Sequence, residues 1–118
     1  MRAHHAALTC LAVLATQAGA DEALDAKALY EARCGGCHAL ETDRTGPHHA
    51  GVIGRKAGSV AGFAYSPALA GSRIVWNEVT LERWLRDPEA LIPGQRMNIR
   101  VSDPAERRAI IGYLRAAR

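Results

Sequence analysis

Apolar residues recur at intervals of three and four in three separate stretches of the chain, each with its own helix punctuation. Between Asp21 and about Cys34 helix-forming residues dominate, and Ala26, Leu29, Tyr30 and Cys34 fall on one face. Continuing that spacing brings Cys37 and His38 to the same side. From Asn77 to Asp87 the stripe is Leu81, Trp84 and Leu85, and it stops at Asp87-Pro88 because the residue before a proline avoids the helical region. The last stretch starts most clearly. Asp103 is a good N-cap, Pro104 suits the first helical position, Glu106 is placed to complete a capping box, and Ile110, Tyr113 and Leu114 make the apolar stripe. No alternating run is long enough for a strand, and only Ile74-Val75-Trp76 reads as a short extended piece. The pattern predicts an all-α domain of three main helices.

Between the first and second of these helices, Gly46 to Ser72 holds six glycines and little periodicity. A loop of this length in a small domain needs something other than secondary structure to organise it. The chain has 118 residues, enough for one domain, and its aromatic inventory is one Phe, two Trp and three Tyr. Three alanine-rich helices with so few large side chains make a thin core. A bulky apolar ligand wrapped by the loop would supply the missing volume.

The first twenty residues, MRAHHAALTCLAVLATQAGA, run from a positive end through a short apolar stretch to Ala18-Gly19-Ala20. That order is the one of a secretory signal, with cleavage expected after Ala20 and residues 21–118 left as the domain. The apolar run is shorter than the ~20 residues a membrane-spanning helix needs. Thr9 is larger than the residue expected before a lipidated cysteine, which argues against an anchor at Cys10. Losing Arg2 takes the 15 basic residues to 14 against 12 acidic ones, a balance that gives no support to nucleic-acid binding. Cys10 leaves as well. Cys34 and Cys37 then stand alone in a compartment outside the cytoplasm, where thiols tend to be oxidised and must end as a disulfide, a metal site or a covalent attachment.

The two cysteines sit in Arg33-Cys-Gly-Gly-Cys-His-Ala39. A thiol redox pair belongs at a helix start in a βαβ unit, whereas here the first cysteine closes a helix and no such unit is present. A structural zinc site would need His48 or His49 beside Cys34, Cys37 and His38, and such sites normally draw on two separated ligand pairs. C-x-x-C-H is instead the signature of c-type haem attachment. Two thiols at this spacing can add to two vinyl groups on one porphyrin, which leaves His38 beneath the iron as the proximal ligand. Met97 is the one methionine beyond the signal, and Pro93-Gly94 ahead of it fix a non-helical backbone. It is the candidate sixth ligand, with a core-filling role as the alternative and His48 and His49 as rivals.

These motifs, taken in order, resemble a class I cytochrome c. The resemblance runs through Tyr30, Cys34-Gly-Gly-Cys-His38, Thr45-Gly-Pro47, Gly54-Arg55, Phe63-Ala-Tyr65-Ser66, Trp76, Leu81-Glu-Arg-Trp-Leu85, Pro88, Pro93-Gly-Gln-Arg-Met97 and Ile111-Gly-Tyr-Leu114. It implies helices and long loops wrapped around a covalent haem, with the first and last helices crossing at Ala26, Tyr30, Ile110 and Tyr113. It also implies that the Pro47 carbonyl accepts a hydrogen bond from the ligand histidine, and that Arg55, Tyr65 and Trp76 hold a haem propionate. Departures from the family pattern fall at His49, where an apolar residue is expected near the proximal face, and at Leu69, Trp84 and Gln95 around the distal hydrogen-bond network. His49 is expected either to be hydrogen-bonded or to turn outward, and is a candidate for making potential or ligation depend on pH.

The function implied is one-electron transfer between Fe(III) and Fe(II) with no substrate turned over. The expected partners are membrane respiratory complexes, a terminal oxidase or a periplasmic dehydrogenase, met by transient docking of a monomer. Lys27, Arg33, Lys56, Arg86, Arg96 and Arg100 are candidate docking charges, interspersed with Glu82, Asp87 and Glu89. Two other functions compete: a subunit dedicated to one dehydrogenase or oxidase complex, and a peroxide- or gas-binding haem protein whose Met97 ligand is labile.

Overall fold

A computed structural model describes residues 24–118. The expected signal segment and the first residues of the first predicted helix lie outside the described residues. Five helices follow one another: α1 (Ala26–Arg33), α2 (Pro67–Ala70), α3 (Glu78–Arg86), α4 (Pro88–Leu91) and α5 (Pro104–Ala116). Three of them, α1, α3 and α5, are the helices that the apolar spacing predicts. The other two are single turns. Each starts on a proline behind a capping side chain, Ser66 for α2 and Asp87 for α4. Asp87 thus ends α3 and starts α4.

At eight residues, α1 is too short to hold its shape alone, so packing must supply its stability. It lies against α5, where Tyr30 and Ile110 are buried and the Tyr30 and Tyr113 ring centroids are 4.9 Å apart. Arg33 closes the far end with a double hydrogen bond to Glu106. Glu106 therefore does not complete the expected capping box. The Asp103 side chain caps α5 through the Ala105 amide, and Glu106 reaches across to α1 instead. The capping box forms on α3, between Asn77 and Thr80, while Leu81, Trp84 and Leu85 turn inward as the spacing requires.

Arg107 is a buried charge, 6% exposed, at the join of α3 and α5. Its guanidinium meets Glu82 at 2.9 Å and the carbonyls of Val101 and Ser102 at 2.8 and 2.9 Å. Val101 also donates its amide to Leu85. The segment after Met97 is thus tied to both helices. Among the described residues β pairing is limited to one antiparallel bridge, Lys56 with Val75, flanked by Gly54 to Trp76, Trp76 to Arg55 and Ala57 to Ile74 hydrogen bonds. This short ladder contains the extended piece read at residues 74–76 and pins the middle of the long loop. Gly58 nearby has φ +70°, and a Cβ there would fall 2.1 Å from the Leu69 carbonyl oxygen, so only glycine lets the loop lie on α2.

Candidate functional site

A cavity of about 490 Å³ opens inside this shell. The end of α1 gives its wall Cys34, Cys37 and His38, and the long loop gives Gly46, Pro47, His49, Val52, Arg55 and Tyr65. Leu69, Trp76, Trp84, Leu85 and Met97 add apolar surface. A largely apolar wall carrying a few placed polar groups is what a cofactor site needs.

The local backbone explains how the CGGCH residues stay together. His38 donates its amide to the Cys34 carbonyl at 2.9 Å, which continues the helical turn beyond Arg33. Gly46 donates to the Cys37 carbonyl at 2.8 Å and lies so near His38 that a Cβ would be 2.1 Å from the ring. His38 Nδ1 is 2.8 Å from the Pro47 carbonyl. A carbonyl only accepts, so Nδ1 holds the proton and Nε2 keeps the lone pair a metal ligand requires. Burial lowers the His38 pKa, opposed by the Pro47 bond and helped by the nearby Arg44 cation, which favours the neutral ring.

Cys34 and Cys37 are not joined to each other by a disulfide, and burial pushes the Cys34 thiol up to about 11. A thiol redox pair needs the opposite shift. Among the described residues no three His, Cys, Asp or Glu side chains gather where they could hold a metal ion.

His48 faces outward, with its backbone amide and ring both on the Asp43 carboxylate. His49 turns inward. Its ring stacks on His38 with centroids 4.0 Å apart and planes 19° apart, and Tyr30 Oη meets its Nδ1 at 2.9 Å. Burial first, then the neighbouring His38, Arg55 and His48, lower its pKa to about 3. The Tyr30 phenol is pushed up to about 12, chiefly by burial, so it stays protonated and joins His49 through a hydrogen bond. The apolar spacing of α1 gave no sign of this bond.

Arg55, Tyr65 and Trp76 all line the cavity. Arg55 spends two donors on the His48 and Ala50 carbonyls, and none of the described carboxylates forms an ion pair with it. A half-buried guanidinium with donors to spare on an apolar wall suits an anionic group carried by the cavity's occupant. The Tyr65 hydroxyl accepts from the Val60 amide at 3.0 Å, and Trp76 packs on Trp84 with centroids 5.4 Å apart. Gln95 differs from expectation. It is buried but does not line the cavity, and it instead braces the turn before Met97 through Glu89 and Asn98. Asn98 itself has φ +52°.

A sequence model of the cytochrome c family matches residues 23–118. The chain belongs to the cytochrome c family. Cytochrome c2 iso-2 of Magnetospirillum fulvum is 43% identical over 86 residues, covering 70% of this chain and 90% of that protein. The cytochrome c of Euglena viridis is 37% identical over 92 residues, 75% of this chain and 90% of its own. In structure, cytochrome cH from Methylobacterium extorquens superposes with a TM-score of 0.73 at 38% identity, covering 79% of this chain and 96% of that one. As a cytochrome c the protein carries one covalently attached haem c with its iron, and it transfers electrons rather than converting a substrate. The all-helical fold predicted from the sequence is that of this family.

Most of this cytochrome's expected docking charges are engaged at home. Lys27 pairs with Glu31, Arg33 with Glu106, Arg86 with Glu82 and Arg100 with Asp87. Arg33 and Arg96 are also part of the cavity wall.

Proposed function

We propose that Cys34 and Cys37 hold the haem through thioether bonds, that His38 and Met97 are its axial ligands, and that the protein shuttles electrons in the periplasm. Bound haem supplies reversible one-electron exchange between Fe(III) and Fe(II). One observation carries the reading: the two thiols, a neutral imidazole whose Nδ1 proton is committed to Pro47, and the thioether of Met97 line a single cavity. Pro47 fixes the His38 tautomer, and Gly46 leaves room for its ring. Arg55, with Tyr65 and Trp76 beside it, offers charge-assisted donors to a propionate. A soft thioether ligand at Met97 favours the reduced metal and so raises the potential. Apolar Leu69, Trp84 and Leu85 keep water from the cavity.

In this reading residues 1–20 are a cleaved export signal and 21–118 the working domain. None of the described helices is long and apolar enough to cross a membrane. The monomer meets membrane respiratory complexes, a terminal oxidase or a periplasmic dehydrogenase through brief, weak docking. The oxidised protein should show a far-red sulfur-to-iron charge-transfer band at neutral pH. If that band is missing, Met97 is not the resting ligand, and a gas- or peroxide-binding role takes the place of the simple carrier. Elution of the native protein with a large partner on a sizing column would identify a dedicated subunit.

A further inference from the structure

We infer that Tyr30 and His49 form a positioning pair for His38, in which Tyr30 holds His49 by a hydrogen bond and His49 holds the plane of the His38 ring by stacking. The inference deepens the proposed function and rests on His38 being an axial ligand.

The Pro47 carbonyl is the partner that fixes the His38 tautomer, and a carbonyl accepts over a broad range of angles. It therefore sets which nitrogen is protonated more firmly than it sets the tilt of the ring. Tilt is limited by what lies flat against the imidazole. On one face that is His49, at 4.0 Å between centroids and 19° between planes, a stacked arrangement in which tilting one ring out of its plane drives it into the other.

His49 can serve as a plate only if it is itself fixed, and it is held from two sides. Its backbone amide donates to the Ala39 carbonyl at 3.0 Å, and its own carbonyl accepts from Val52 at 2.9 Å. Its ring shares a hydrogen bond with the Tyr30 hydroxyl, for which no other hydrogen bond is present among the described residues. Tyr30 in turn is buried at 4% exposure and lies against Tyr113, so the α1/α5 packing sets its position. The order of restraint runs from the helix pair through Tyr30 and His49 to His38. An aliphatic side chain at residue 49 would fill similar space without the hydrogen bond and without a plate parallel to the imidazole. Outer groups that orient a metal's ligand also tune the metal, so the pair bears on redox potential as well as on geometry.

The test uses the intact holoprotein and three variants, Tyr30→Phe, His49→Leu and the double variant. Two readouts report ligand orientation: the paramagnetically shifted NMR signals of the His38 ring in the oxidised state, and the reduced-to-oxidised ratio at a fixed ambient potential. A thermal melt reports plain packing. The expected result is a changed shift pattern in both single variants, at least a threefold change in the ratio for His49→Leu, and a double variant that differs little from it, because the two residues act in series. Lowered melting temperature with His38 signals and redox ratio as in the parent would mean the pair only fills space, and would overturn the inference. So would additive effects of the two substitutions. Failure of the ligand assignment shows up separately, as a parent protein with no strongly shifted histidine ring.

Discussion

Replacing Gly46 by alanine sets a methyl group against the ring of His38. The new Cβ would lie 2.1 Å from Cε1, 2.5 Å from Nδ1 and 2.6 Å from Nε2, all far inside contact distance. Gly46 is not among the glycines with positive φ, so alanine accepts the backbone and the cost is steric. The ring cannot swing away freely, since Nδ1 is bonded to Pro47 and His49 lies flat on one face. Forcing extra volume into a packed site costs ~1–3 kcal/mol. Losing the bond to Pro47 adds ~1 kcal/mol. A total near ~3 kcal/mol should lower the melting temperature by roughly 12–24 °C, at ~4–8 °C per kcal/mol for a domain of this size. The assay is a thermal melt of the holoprotein followed by circular dichroism, with the far-red band recorded on the same sample. Gly112→Ala is the control, because a Cβ there meets nothing within 4 Å and the residue is not part of the cavity wall. A Gly46→Ala protein that melts within ~3 °C of the parent, with an unchanged spectrum, would refute the close approach of Gly46 to His38.

Met97→Ala should leave haem attached while opening the iron to added cyanide or carbon monoxide; unchanged ligand binding would remove Met97 from the coordination sphere. Arg107→Met leaves the Val101 and Ser102 carbonyls and the Glu82 carboxylate without their shared partner, and should cost ~2–4 kcal/mol in urea unfolding. A loss below ~0.5 kcal/mol, the size of an ordinary surface change, would show that the clamp holds nothing. Hydrogen bonds from the Gln95 side chain and then the Gly94 amide hold Glu89 below the usual carboxylate pKa, so its bracing is complete above the unfolded value of ~4.3 and is lost as pH falls through the lower folded one. Glu89→Gln, which sets an amide against the Gln95 amide, should flatten the acid limb of the melting-temperature profile; a limb as steep as the parent's would exclude Glu89 as its source.

What the sequence made legible was local. Asn77, Asp87, Asp103 and Pro104 mark helix ends by side-chain chemistry that acts within a few residues, and α3 and α5 start and stop beside them. The CGGCH spacing was equally readable, because a single helical turn carries it. What stayed hidden depends on partners far along the chain. Glu106 sits at the right offset for a capping box, yet Arg33, 73 residues away in sequence, makes the better-placed donor. Gln95 departs from the family pattern at a position of the distal hydrogen-bond network, but its amide is taken by Glu89 and Asn98. The helices α2 and α4 have four residues each, too few for periodicity to register. His49 was legible as an oddity and not as half of a pair, since nothing local ties it to Tyr30.

The cavity has a consequence for how the protein comes into being. Its wall is drawn from almost the whole described chain, from Ala32 to Leu114. A cofactor fastened there would touch segments far apart in sequence, and a group that binds the folded chain shifts the folding balance toward it. Resistance to proteases should therefore rise as haem is attached, so that cellular abundance follows cofactor supply as well as synthesis.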